Sequence, residues 1–452
     1  MKDILIIGAG KSSAALIKYL LEKSDKENLF LTIGDISIEN AKKLIGNHKK
    51  AKAIIFDVFN KNQRIEEIKK TDIVISMLPA RFHIQVAKDC ITFKKHLVTA
   101  SYISKEMKSL DKEAKENGLV FMNEIGLDPG IDHMSAMQII DRIKEKNAKM
   151  LLFESFCGGI VAPESDTNLW NYKFTWNPRN VVLAGQGGAA MFIQEGTYKY
   201  IPYHKLFRRT EFLKINNVKF EAYANRDSLK YRSVYGLDNI PTMYRGTIRK
   251  IGFSRAWNIF VQLGMTDDSY IIENSENMSY RDFVNLFLAY SPSDSVELKL
   301  RSYLKIDQDD LMWAKLVELD LFNPKKKIGL TNATPAKILQ KILEDSWTLQ
   351  EEDKDMIVMQ HLFGYELNGE KRQIESSLVV EGENQTYTAM AKTVGLPVAI
   401  ATLKILKSGR LESVVLKKSS GYSSLDQSAI KKEYRGSCCK FSIWCPHICS
   451  PK

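Results

Sequence analysis

Hydrophobic residues at the start of the chain come in short unbroken runs, each followed by a turn and then by apolar residues at helical spacing. Ile4-Leu-Ile-Ile7 leads into Gly8-Ala9-Gly10, and then into Ala14, Ala15, Leu16, Leu20 and Leu21. Consecutive apolar positions mark a strand buried on both faces, as in a parallel sheet. The same punctuation recurs to about residue 128. Lys52-Ala-Ile-Ile-Phe-Asp57, Asp72-Ile-Val-Ile-Ser76, Leu97-Val-Thr-Ala100 and Leu119-Val-Phe-Met122 read as strands. Helical stretches near 38–45, 62–70, 81–92 and 104–117 separate them. This alternation predicts an α/β fold with a parallel sheet, whose ligands bind beyond the carboxyl ends of the strands.

The pattern changes after a helix predicted to begin at Pro129. From 149 to about 265 the runs are strand-like and aromatic, as in Met150-Leu-Leu-Phe-Glu-Ser-Phe156. Turn clusters such as Asn177-Pro178-Arg179 and Gly185-Gln-Gly-Gly188 interrupt them. These predict a second α/β domain with an antiparallel or mixed sheet. Residues about 275–355 read as a charged helical insertion, followed by strands from Met356 to Leu367 and from Arg372 to Glu381. A helix of small apolar residues begins near Thr388.

The strand–glycine turn–helix order at Gly8 and Gly10 suits a dinucleotide, because a residue without a Cβ lets backbone N–H groups approach a pyrophosphate. Ser12 and Ser13 complete the turn, with Ser13 where a third glycine is usual. A P-loop ending at Gly10-Lys11-Ser12 is rejected, since its first glycine would fall on Leu5. Asp35 closes the second strand about 25 residues beyond the glycines, where a carboxylate accepts from a ribose hydroxyl; the alternative is a plain turn residue. Such a carboxylate would oppose a 2′-phosphate, and Gly34-Asp35-Ile36-Ser37 offers no cation. The expectation is NAD in preference to NADP.

At 452 residues, two or three domains are expected. A hydrophobic share of 44% and a charged share of 26% indicate a globular chain. The net charge of +11 raises nucleic-acid binding, but the lysines are scattered and no nucleic-acid motif is present, so a solvated basic surface is the reading. No stretch approaches the roughly 20 apolar residues of a membrane span. The chain enters its first strand at once, leaving no room for a targeting peptide, and the cytoplasm is expected. Of six cysteines, Cys90 and Cys157 stand alone and four fall in the last fifteen residues. No Cys/His spacing in the body fits a metal, and G-x-S-x-G is absent.

Candidate chemistry gathers at the predicted strand ends: Met77-Leu78-Pro79, Ala100-Ser101-Tyr102 and Leu127-Asp128. Asp128 suits a helix N-cap with Pro129 at the first helical position, yet its place beside a cofactor also suits proton transfer. His133 reads as structural. Ser101 and Tyr102 offer a hydroxyl and a phenol to the same crevice. Cys157, predicted to end the first strand of the second domain, is either a catalytic thiol or a small buried residue. Arg226, Arg245 and Arg249 suit carboxylates, which guanidinium forks bind bidentately; structural ion pairs are the alternative.

Together these stretches resemble the saccharopine dehydrogenase family in its glutamate-forming branch. The carriers are Ile75-Ser-Met-Leu-Pro79, Val98-Thr-Ala-Ser-Tyr-Ile-Ser104, Asn123-Glu-Ile-Gly-Leu-Asp-Pro-Gly-Ile-Asp-His133 and Cys157-Gly-Gly159. Ala162-Pro-Glu164, Tyr172-Lys-Phe-Thr-Trp176, Asn225-Arg-Asp-Ser228, Arg245-Gly-Thr-Ile-Arg249 and Ala389-Met-Ala-Lys-Thr-Val-Gly-Leu-Pro397 follow. The resemblance implies a Rossmann-like domain at 1–128 rejoined by about 386–412. It also implies a substrate and dimerisation domain at 129–385, a homodimer, and conversion of saccharopine, water and a nicotinamide cofactor to α-aminoadipate semialdehyde and glutamate. NAD is the cofactor expected, with NADP possible; nucleic acid and membrane are not expected partners.

By position, the cofactor would meet Gly8, Gly10, Ser12, Ser13, Asp35, Met77, Leu78, Pro79, Ala100, Ser101, Tyr102 and Leu127. The substrate would meet Ser101, Tyr102, Asp128, Arg226, Arg245, Thr247, Ile248 and Arg249. Asp128, then Tyr102, would carry the acid/base role, with Cys157 a further catalytic candidate. A relative acting on a carboxylated polyamine, or a nucleotide-binding regulator without turnover, are the rival readings. The tail at 413–452 departs from the family pattern, has no helical period and is unusually rich in cysteine; a shifted reading frame, a divergent or disordered tail and, least favoured, a metal knuckle are the readings.

Overall fold

The computed structural model describes residues 1–408 and 440–444. Strands β1 (Lys2–Ile7), β2 (Leu29–Asp35), β3 (Ala51–Ile55), β4 (Ile73–Ser76), β5 (His96–Val98) and β6 (Phe121–Met122) form one six-stranded sheet, ordered β3-β2-β1-β4-β5-β6. Every pairing in it is parallel. The predicted α/β class and its parallel sheet are therefore present. Ile4 to Ile7 are all buried, as helices on both faces of a parallel sheet require. The single helix predicted at 104–117 is two, Lys105–Ser109 and Asp111–Glu116, the first capped by Ser104 accepting from Met107 N–H at 3.1 Å.

Asp128 does not cap the next helix. That helix runs Ile131–Glu145 and follows Gly130, while the Asp128–Pro129 peptide is cis. The carboxylate at the helix start is Asp132, which accepts from Gly130 N–H at 2.7 Å. Asp128 instead accepts from the Tyr102 phenol.

The second sheet comprises β7 (Lys149–Val161), β8 (Ala190–Gln194), β9 (Thr197–Ile201), β10 (Thr210–Ile215), β11 (Val218–Ala224), β12 (Thr242–Arg249), β13 (Asp355–Leu367), β14 (Glu370–Glu381) and β15 (Lys440–Trp444). Its order is β10-β11-β12-β7-β13-β14-β15, with the β8–β9 hairpin joined to β12. β12 pairs with β7 in parallel and with β11 antiparallel, so the sheet is mixed. β7 is longer than predicted, and Cys157 lies inside it rather than at its end. Most of the predicted 413–452 tail lies outside the described residues; Lys440–Trp444 pairs antiparallel with β14.

Helices Tyr280–Asn285, Val296–Leu304, Leu311–Glu318 and Pro335–Trp347 fill the predicted insertion. Each is capped by a side chain (Ser279, Ser295, Asp310 or Thr334) accepting from its first turn.

By packing, the chain divides into two compact units. The first takes Met1–Leu151, Tyr231–Asn239 and Phe363–Lys452; the second takes Leu152–Lys230 and Ile240–Leu362. In the first, the Ala389–Ser408 helix packs against the Ala14–Lys23 helix. Gly395 makes this approach possible, since a Cβ there would lie 2.8 Å from Leu16 N and 3.2 Å from Ser12 O. Ala389–Lys407 spans 19 residues at a hydropathy of 1.5, long and apolar enough to cross a bilayer, against the expectation of no such stretch. With 72% of its most apolar window buried, it is apolar because it is a core helix.

Candidate active site

The turn after β1 is built from backbone contacts to two neighbouring strands. Gly8 donates to Gly34 O at 2.8 Å and Met77 donates to Ile7 O at 2.8 Å, drawing the ends of β1, β2 and β4 together. Gly8 has φ +105°, and a Cβ on it would come within 2.9 Å of Met77 O, so only glycine serves. Ser13 explains its own presence where a third glycine is usual: its hydroxyl donates back to Gly8 O at 2.8 Å and is buried. Beyond Gly10 the space is open, with nothing within 4 Å of an added Cβ, and no side chain caps the helical turn it begins. A pyrophosphate fits such a bare, uncapped helix start, which the helix dipole also favours.

Asp35 faces inward. Its Oδ2 accepts from Ala9 N–H at 2.7 Å, and its Oδ1 accepts from Ser37 N–H at 2.9 Å. The carboxylate thus ties the second strand's end to the glycine turn.

At the next strand ends, Tyr102 donates its phenol to Asp128 Oδ1 at 2.6 Å. Both side chains are half-buried, and Ser101 beside them is too. Buried Glu124 holds this segment: its N–H donates to Ser101 O at 3.1 Å and its Oε1 accepts from Ile103 N–H at 3.0 Å. Behind it, fully buried His133 lies 3.4 Å from Glu124 Oε2 and pairs with Tyr235 Oη at 2.5 Å. Met77 and Leu78 are half-buried, Pro79 is exposed, and Leu127 is buried. Ala100 abuts Gly126, 3.0 Å from a Cβ placed there.

In the second unit, β12 sorts the predicted substrate residues by strand alternation. Arg245, Thr247 and Arg249 share one face and Ile248 takes the other, where its side chain is fully buried. Cys157 sits opposite Thr247 in the register and shares the first face. Arg249 is enclosed by rings, its guanidinium 5.1 Å from the Tyr172 centroid, 5.8 Å from Tyr223 and 5.3 Å from Phe253. Burial opposes its charge, but Tyr223, Tyr172, Cys157 and Glu221 outweigh that and hold its pKa above the ordinary value. Arg245 is buried, whereas Arg226 is exposed. Arg245 O accepts at 2.7 Å from the N–H of Asn225, the residue before Arg226.

Two site residues escape any reading of the sequence. His83 bridges Ser76 and Ser101, and Glu124 braces the Tyr102 segment. Glu124 lies inside the Asn123–His133 stretch but was given no role there, and His83 lies in no quoted motif; the partners that give each its role lie on other segments.

Comparison with known proteins now bears on this site. Residues 4–122 match the saccharopine dehydrogenase NADP binding domain, and residues 126–425 match the saccharopine dehydrogenase C-terminal domain. The chain belongs to the saccharopine dehydrogenase family. It is thus an oxidoreductase by family. It is 32% identical over 425 residues to saccharopine dehydrogenase [NADP(+), L-glutamate-forming] of Pyricularia oryzae, covering 90% of this chain and 91% of that one. The mitochondrial alpha-aminoadipic semialdehyde synthase of Rattus norvegicus is also 32% identical, over 91% of this chain but 44% of its own length. Apo saccharopine dehydrogenase (L-Glu forming) from Saccharomyces cerevisiae superposes with a TM-score of 0.85 at 30% identity, covering 98% of this chain and 100% of that one.

Family membership corrects the cofactor. The relatives from Pyricularia, Schizosaccharomyces pombe and Saccharomyces are NADP(+) enzymes, and the matched domain is an NADP-binding one. The expected preference for NAD is therefore overturned. The premise gave Asp35 a role toward the ribose alone, whereas its carboxylate also binds the Ala9 and Ser37 amides, a structural role that sets no cofactor preference.

Proposed function

We propose that the chain catalyses the reversible conversion of saccharopine, NADP and water to α-aminoadipate semialdehyde, glutamate, NADPH and a proton, within lysine metabolism. The observation that carries this reading is the Tyr102–Asp128 hydrogen bond of 2.6 Å, at the carboxyl ends of a parallel sheet with a dinucleotide turn. When bound, the nicotinamide supplies the hydride acceptor. The glycine turn would hold the pyrophosphate, with Met77, Leu78, Pro79, Ala100 and Leu127 along the adjacent strand ends.

Asp128 takes a proton from the secondary ammonium of saccharopine, since only the neutral amine can lose hydride from its neighbouring carbon. Water adds to the resulting carbon–nitrogen double bond and loses a proton; Asp128 returns its proton to the nitrogen, and as the carbon–nitrogen bond breaks its electron pair stays on the glutamate nitrogen while the hydroxyl loses its proton to leave the aldehyde. Tyr102 fixes the carboxylate through these steps by donating to it, as an oriented acid/base group requires. In the second unit, Arg226, Arg245 and Arg249 have the fork chemistry that suits carboxylates, of which saccharopine has three, with Thr247 as a hydroxyl partner. A homodimer in the cytoplasm completes the proposal; sedimentation and fractionation check those two points.

The test is direct. Purified protein with saccharopine and NADP is expected to generate reduced-nicotinamide absorbance matched mole for mole by glutamate. No reduction at any saccharopine concentration, in protein that binds NADPH, would overturn the reading.

A further inference from the structure

We propose that His83 is a positioning residue that makes the Ser101 hydroxyl a dedicated hydrogen-bond donor toward an acceptor oxygen of the bound ligand. This rests on the function proposed above. The geometry is a chain across three elements of the first unit. Ser76 Oγ, at the end of β4, lies 2.8 Å from His83 Nδ1, and His83 Nε2 lies 2.8 Å from Ser101 Oγ just beyond β5. Thr99 Oγ1 stands 3.2 Å from the same Nε2 and accepts from Ser101 N–H at 3.3 Å.

The direction of the chain follows from its buried end. Ser76 is fully buried, and its hydroxyl has His83 as its hydrogen-bond partner. A buried hydroxyl proton left without an acceptor costs its full desolvation; Ser76 and Thr99 are both buried against the ring, a neutral ring accepts at one nitrogen, and the 2.8 Å contact of Ser76 against 3.2 Å for Thr99 makes Ser76 the donor and Nδ1 the acceptor. Burial drives the His83 pKa down to about 4, so the ring is neutral and carries one proton. That proton is on Nε2 and goes to Ser101, the shorter of the two contacts there. With its oxygen engaged by His83, the half-buried Ser101 hydroxyl directs its own proton outward. The partner is an acceptor oxygen, either the carboxamide of the nicotinamide or a carboxylate of the substrate. The opposite tautomer would make Ser101 spend its proton on the ring and present only lone pairs.

Two measurements test this without depending on each other. In the unliganded protein, nitrogen-15 spectra of the His83 ring are expected to show a protonated Nε2 and an unprotonated Nδ1 at neutral pH. A protonated Nδ1 overturns the inference whether or not saccharopine is turned over, so failure here and failure of the proposed function are distinguishable. Second, Ser76→Ala keeps the ring packed but removes the group that sets its tautomer. Ser101→Ala and Ser76→Ala are each expected to lower kcat/KM by about threefold to tenfold, the effect of one hydrogen bond. The double variant is expected to fall no further than Ser101→Ala alone, because both act through one hydroxyl. A matching loss of NADPH affinity assigns the acceptor to the cofactor; a rise in the saccharopine KM alone assigns it to the substrate. Multiplying effects in the double variant, or full activity in Ser76→Ala, would overturn the proposal.

Discussion

Replacing Gly395 by alanine sets two known effects against each other at the contact between the Ala389–Ser408 helix and the cofactor turn. Alanine favours a helix interior over glycine by about 0.8–1.0 kcal/mol. Against that, the new Cβ would stand 2.8 Å from Leu16 N, 3.1 Å from Leu16 Cβ and 3.2 Å from Ser12 O. Two of these are backbone atoms, so no side-chain rotation relieves the clash and the helices must separate. Overpacking of this kind costs typically about 1–3 kcal/mol. The clash wins, and a net loss of up to about 2 kcal/mol is expected, with the melting temperature falling by roughly 2–4 °C for each kcal/mol in a unit of this size. Strain relieved by moving Ser12 reappears as weaker NADPH binding, up to about tenfold for each 1.4 kcal/mol transmitted. Thermal unfolding and NADPH fluorescence titration measure both. A variant that melts higher than the unmodified protein and binds NADPH equally well would show that the helix term dominates and refute the argument.

Tyr102→Phe removes the phenol that donates to Asp128, and losing a hydrogen bond to a charged group costs about 1.5–3 kcal/mol, or roughly tenfold to a hundredfold in kcat/KM; unchanged steady-state kinetics would remove Tyr102 from the site. Asp35→Ser breaks the ties to Ala9 and Ser37 and is expected to weaken NAD and NADP alike while leaving their ratio within about twofold; a loss confined to NAD would show that the carboxylate does meet a ribose. Burial, aided by Glu211, raises the Glu154 pKa to about 7 from 4.5. A raised carboxyl pKa favours the protonated folded form, so this contribution is complete below about pH 4.5 and is lost as pH rises through about 7, by roughly 3 kcal/mol at most. Glu154→Gln is expected to flatten the decline in unfolding midpoint between those values, and an identical decline in the variant would exclude Glu154 as its source.

The parallel sheet was legible because each of its strands carries its own signal, an apolar run ended by a turn. Ile4–Ile7 is buried on both sides, and its shortness and the glycines that end it set it apart from a buried helix. No strand was read at Thr242–Arg249, so the alternation that sets Arg245, Thr247 and Arg249 on one face and Ile248 on the other came only with the structure. What failed were readings that required a particular partner. Asp128 has the composition of an N-cap, but Gly130 and Asp132 take over the helix start. Asp35 stands where a ribose ligand belongs, yet its nearest donor is Ala9, 26 positions earlier. A sequence gives the direction of a side chain from its strand; it does not say which of several amides will reach it first. His83 was silent for the same reason, since Ser76 and Ser101 meet it only when β4 and β5 lie side by side.

The first unit is not finished when its first 151 residues have left the ribosome. The Ala14–Lys23 helix, with Leu16, Ile17 and Leu20 fully buried in the finished protein, meets its partner only when Ala389–Ser408 is made. His133 likewise waits 102 positions for the Tyr235 hydroxyl. At synthesis rates of about 5–20 residues per second, the roughly 240 residues separating Leu151 from Ala389 take on the order of tens of seconds. Through that interval an apolar helix face borders the glycine turn without its cover. The nucleotide site is therefore among the last parts of the chain to reach its final form, although its defining residues are the first to be made.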